Sequence, residues 1–116
     1  MITPQQIMDG MADKNRMLTQ KNDEYIALIE KRAQAERAYN ICFAKQMWAL
    51  KSDGISSTAS DKFARGDKAV ADLKFELDMA EGITKACLQS IKALIIQIDS
   101  YRSLLAWQKA EMLRTE

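Results

Sequence analysis

Between Val70 and Met112 the chain repeats uncharged residues every 3.5 positions, and this pattern restricts the segment to a long helix covered along one side. With Val70 at heptad position a, the a and d positions read Val70, Leu73, Leu77, Ala80, Thr84, Cys87, Ile91, Leu94, Ile98, Tyr101, Leu105, Gln108 and Met112. Eleven of the thirteen are apolar, and neither exception is charged. A 3.5-residue repeat sustained this long marks a left-handed coiled-coil seam.

The partner nearest in sequence is the first half of the chain. One proline and four glycines leave room for very long helices and argue against a many-stranded sheet. Thr3 reads as an N-cap with Pro4 at the first helical position. Helical spacing then joins Ile7, Met11, Leu18, Tyr25, Leu28, Ile29, Ala35, Tyr39, Cys42, Phe43, Met47 and Leu50. The first two turns are less apolar, are weakened by Gly10, and are expected to fray. Gly54 suits a left-handed C-cap after Asp53. The hydroxyl-rich stretch from Ile55 to Ser60 reads as a loop, and Asp61 to Arg65 as one short helical turn. Gly66 stops that turn and Asp67 caps the next helix. The expectation is therefore an all-α, single domain over 1–116. It is a long antiparallel two-helix hairpin, with a helix over 4–52, a connector over 53–66 and a helix over 67–114. Each long helix would span roughly 70 Å.

A second pattern lies on the same C-terminal helix. From Phe75 to Ala110 positions c and f, opposite the seam, read Phe75, Met79, Gly82, Ala86, Gln89, Ala93, Ile96, Ser100, Ser103, Trp107 and Ala110. None is charged. Charges sit on the flanks, among them Lys74, Glu76, Asp78, Lys85, Asp99 and Arg102. A helix uncharged on two opposite faces is buried on both. A lone hairpin covers only one of them, so self-association is expected, with Phe75, Met79, Ile96 and Trp107 as its large residues. Small residues in mid-stripe permit close helix approach, and the expected product is a helical bundle of hairpins. Ile26, Ile29, Ala33, Phe43 and Met47 add further apolar width to the first helix.

Chemistry is sparse. The formal net charge of +1 gives no global field that would draw the chain onto nucleic acid or anionic lipid. There is no histidine, which removes the commonest general base and metal ligand. Cys42 and Cys87 fall at core positions several turns apart along a hairpin, so they read as buried, unpaired thiols. No glycine-rich phosphate loop and no Glu-x-x-His bundle motif occurs. The reading is a non-enzyme without cofactor or metal. The chain starts without a charged-then-apolar leader and has no apolar run near the ~20 residues a membrane span requires. A soluble, cytoplasmic protein with no membrane role is expected. The local feature is the hairpin tip. There Lys51, Lys62, Arg65 and Lys68 surround hydroxyl side chains and a helix start, a set able to contact phosphate or a partner. Asp53, Asp61 and Asp67 interleave and halve that charge, so an ordinary solvated turn stands beside the binding reading. Arg65-Gly66-Asp67 spells an adhesion tripeptide, but Gly66 and Asp67 are explained as helix punctuation.

Three stretches carry a resemblance: Lys31-Arg-Ala-Gln-Ala-Glu-Arg-Ala-Tyr39 with the lysine-glycine turn after it, Phe63-Ala-Arg-Gly-Asp-Lys-Ala-Val70, and Ser100-Tyr-Arg-Ser-Leu-Leu-Ala-Trp107. Together they are similar to small helical early-region proteins of phages and prophages of Gram-positive bacteria. The resemblance implies a protein acting in the host cytoplasm by binding a host or phage macromolecule. Its role would be to inhibit a defence system or to assist phage recombination or replication. The alternatives are an oligomeric sponge for a nucleotide signal, which the tip cations favour, and a secreted helical-hairpin protein, which the missing Trp-x-Gly turn disfavours.

Overall fold

The computed structural model describes residues 2–115 and contains three helices: α1 (Pro4–Ser52), α2 (Ser57–Gly66) and α3 (Lys68–Thr115). No strand occurs among the described residues.

The helix ends follow from their side chains. At the start of α1 the Gln6 amide donates to Thr3 Oγ1 at 3.1 Å, and Thr3 N–H donates back to Gln6 Oε1 at 2.9 Å. This reciprocal pair is a capping box, with glutamine as the returning acceptor. Ile7 follows it and is fully buried. The first turns are therefore capped and packed, where the sequence suggested fraying. At the other end Gly54 takes φ +85°, Gly54 N–H donates to the Lys51 carbonyl and Ile55 N–H to that of Leu50. That pair of reversed bonds closes the helix, and only glycine adopts the required φ without strain.

The connector differs from its sequence reading. The hydroxyl run is no loop, because α2 begins at Ser57. Ser56 is its N-cap, and its Oγ accepts from Ala59 N–H at 3.3 Å. Ser60 turns inward, fully buried, and donates to the Ile55 carbonyl. The hydroxyls that disfavour a helix interior are here placed at its start, where free N–H groups need acceptors. Asp67 then accepts from Val70 N–H at 3.3 Å and caps α3, as expected.

The described residues pack as two compact units. The first comprises Met1–Ile26 and Ala86–Glu116. In it the Gln108 amide donates to the Ile2 carbonyl at 2.7 Å, Gly10 lies against Tyr101, and the Cys87 thiol reaches the Lys21 carbonyl at 3.6 Å. Partner numbers fall on α3 as they rise on α1, so the helices run antiparallel. Cys87, Ile91, Leu94 and Ile98 are buried between them. The second unit is Ala27–Lys85. Here Thr84 meets Leu28 and Lys74 meets Tyr39, again antiparallel, with α2 in the turn. Val70, Leu77, Ala80 and Thr84 supply its α3 seam, joined by Ala64 from α2.

Both polar residues of the heptad seam make a hydrogen bond, though the Oε1 atom of Gln108 is buried without a partner. Thr84 Oγ1 lies 2.7 Å from the carbonyl of Ala80 in its own helix and 3.4 Å from that of Leu28 across the seam. Gln108 holds the chain ahead of α1 through Ile2.

Gly10 has a packing reason that its sequence position did not disclose. A Cβ there would sit 2.8 Å from Tyr101 Cζ. The bare backbone lets the ring lie directly on α1. Gly10→Ala should therefore destabilise the protein by about 1 kcal/mol despite the better helix propensity of alanine. In a Tyr101→Ala background the same change should stabilise it. Urea unfolding of the four proteins of this cycle checks the sign reversal.

Candidate interaction surfaces

Arg65 lies 5.0 Å above the Phe43 ring, its Nε bonded to Asp61 at 2.9 Å and its Nη1 reaching the Tyr39 hydroxyl at 3.4 Å. Tyr39 and Phe43 stack at 5.8 Å, and Lys74 sits 5.5 Å from the Tyr39 ring centre. Two cations from α2 and α3 thus rest on an aromatic shelf of α1. The sequence pattern had marked Tyr39 and Phe43 only as members of the apolar stripe.

Every cation of that cluster has its own carboxylate. A hydrogen bond and the adjacent charge of Asp61 raise the Arg65 pKa above its ordinary value, and Asp72 and Asp78 do the same for Lys68 and Lys74. Lys68 bonds Asp72 at 2.8 Å and Lys74 lies 3.2 Å from Asp78. For a raised pKa the linked stability is present below the unfolded value and lost only as pH climbs through the folded one. These pairs therefore impose no pH dependence near neutrality. All four tip residues singled out in the sequence are exposed, and two of them, Arg65 and Lys68, pair with local carboxylates. The adhesion-like tripeptide is likewise absorbed: Arg65 stacks and Asp67 caps.

Apolar exposure is the stronger signal. Trp48 on α1 is 74 % exposed and Phe63 on α2 is 61 % exposed, both in the second unit. Ile41, one heptad before Trp48, is also exposed. The apolar spacing of α1 did not include Trp48. The signal that could have found it is this seven-residue step, which places Ile41 and Trp48 together on a second face.

The second unit also has an open groove of about 560 Å³. Leu28, Ala35 and Ala38 line one side and Phe75, Met79 and Ile83 the other, with Lys31 and Glu76 also in its lining. Phe75 is 66 % exposed and Met79 is exposed beside it. In the first unit Ile96 and Trp107 project from the same heptad positions and are 65 % and 61 % exposed. From Phe75 to Ala110 all eleven c and f residues of α3 are exposed, whereas twelve of the thirteen a and d residues from Val70 to Met112 are buried or half-buried.

Cys87 is buried, Cys42 half-buried, and both are free thiols. Among the described residues no group of three or more acidic or cysteine side chains is placed to hold a metal ion, and no helix is long and apolar enough to cross a membrane. No protein-family model, curated protein or solved structure matches this chain.

The aromatic shelf holds α2 in place, and this has a direct check. Arg65→Ala should speed amide hydrogen exchange across α2 severalfold while leaving exchange in the first unit unchanged. Arg65→Lys, which keeps the charge but loses the planar stack, should fall between.

Proposed function

We propose that this chain is a non-enzymatic binding protein of phage or prophage origin. It acts in the host cytoplasm, where it assembles into a helical bundle and captures a protein partner. The observation that carries the reading is the exposure of Trp48 and Phe63. Tryptophan and other large aromatics are costly to leave in water and dominate the energetics of protein interfaces. Here they belong to the unit that also carries the uncommitted cations Lys51 and Lys62. Aromatic anchors among cations favour an acidic or amphipathic protein surface. A nucleotide is supported less, because Arg65 and Lys68 already have carboxylate partners. The resemblance to phage early-region proteins supplies the biological setting: obstruction of a host defence system, or assistance to phage recombination or replication.

The experiment is affinity capture from an infected Gram-positive host, comparing the unmodified chain with a Trp48→Ala, Phe63→Ser variant. One defined protein should be retained by the former and lost by the latter, with circular dichroism unchanged. Capture that is identical for both would move the contact away from these residues. No capture at all, together with saturable nucleotide binding by calorimetry, would replace this reading with a sponge.

A further inference from the structure

We propose that the outward face of α1 between Arg37 and Lys51 docks an acidic, amphipathic helix of the partner protein. The inference rests on the reading of the chain as a protein that captures a protein partner, and it names the chemistry of that partner.

Spacing is the first argument. Arg37, Ile41, Ala44, Trp48 and Lys51 follow one another at steps of four and three residues, with Lys45 four beyond Ile41. Such steps set side chains in one stripe along a helix. All six are exposed, and all belong to the second unit. Tyr39, Cys42, Phe43, Gln46 and Leu50 hold the opposite side of the helix and are half-buried. The stripe therefore points away from the packed side of α1.

Charge is the second. Eight ion pairs among the described residues each join a cation to a carboxylate three or four residues away. The same distances from Arg37, Lys45 and Lys51 hold no carboxylate, and these three are the only charged residues from Arg37 to the end of α1. Three like charges thus stand along roughly 21 Å of helix without a counter-charge on it. That row complements an acidic surface.

Shape is the third. Trp48 is 74 % exposed and Ile41 is 46 % exposed. They stand seven residues apart, roughly 10 Å along the axis. A helix lying along α1 presents apolar residues at that same repeat, with its carboxylates on the flanks to meet the cations. A phosphate backbone would answer the cations and leave Ile41 and Trp48 in water. A lipid surface needs a broad apolar face to enter it, and the broad face of α1 is turned into its own unit.

The test screens the full chain against a library of single helices displayed on one scaffold, their exposed faces randomised. Retained sequences should carry Asp or Glu beside apolar residues at helical spacing. Trp48→Ala, and separately Arg37→Gln with Lys45→Gln and Lys51→Gln, should each weaken the best binder about tenfold with circular dichroism unchanged. Only the triple variant should also lose the salt dependence of binding. Retention of neutral or basic helices, or of none, overturns the proposal. So does saturable binding of duplex DNA or of phosphatidylglycerol vesicles that the triple variant abolishes. The two readings separate cleanly. Capture of a host protein that depends on Trp48 but not on the three cations sinks the acidic helix alone. Acidic helices bound by a chain that captures no host protein sink the captured partner alone.

Discussion

Burial of the α3 seam is the interaction on which everything else in this chain rests. Val70, Leu77, Ala80 and Thr84 in one unit and Cys87, Ile91, Leu94 and Ile98 in the other are nearly inaccessible to water. The residues of α1 that cover them are mostly half-buried, and only Ile7 of that helix is fully enclosed. The imbalance is physical. In a layer of one helix on another, the central row of one can be shielded by neighbours from both sides of the other, but the flanking rows stay wet. A small chain has too little interior to hide every apolar residue it carries. At about 25 cal/mol per Å² removed from water, the surface left on Trp48, Phe75, Ile96 and Trp107 is a substantial unused driving force.

The seam is held in register by a few polar and steric contacts. Thr84 is the one aliphatic hydroxyl at its a/d positions, and it reaches carbonyls on both helices. Gln108 takes the Ile2 carbonyl, and a side chain added to Gly10 would strike Tyr101. A seam of uniformly apolar residues would tolerate slippage by a heptad. These contacts exist at one alignment only, so they oppose the shifted alternatives.

The second unit adds an element the pairing itself does not need. Helix α2 contributes buried Ser60 and Ala64 and is clasped by Arg65 on the Tyr39–Phe43 shelf. The clasp engages one of the four tip cations, Arg65. It leaves Phe63 pointing into water on a positioned helix. The chain therefore has two exposed apolar regions with different surroundings. The α3 stripe from Phe75 to Ala110 is uncharged and rich in small residues. Trp48 and Phe63 are isolated aromatics with cations nearby in sequence, which suits an unlike partner.

Much of this was legible in the residues. The heptads dictated α3 and its buried face, because burial along a helix must recur at the helical period. Thr3, Gly54 and Asp67 marked helix ends, because caps depend on local hydrogen bonds and φ. The uncharged c/f stripe was visible for the same reason as the seam, and the fold leaves all of it exposed. Other features required three dimensions. The serine run was misread as a loop because hydroxyls favour turns and helix N-termini alike, and only the packing of Ser60 and Ala64 selects the helix. Gly10 read as a weakness until Tyr101, about ninety residues away, was placed against it. Tyr39 and Phe43 read as core until Arg65 and Lys74 were brought onto their faces. Periodicity reports what one helix needs on each side of itself. Which residue meets that need from elsewhere in the chain is set by tertiary contact, and no local pattern encodes it.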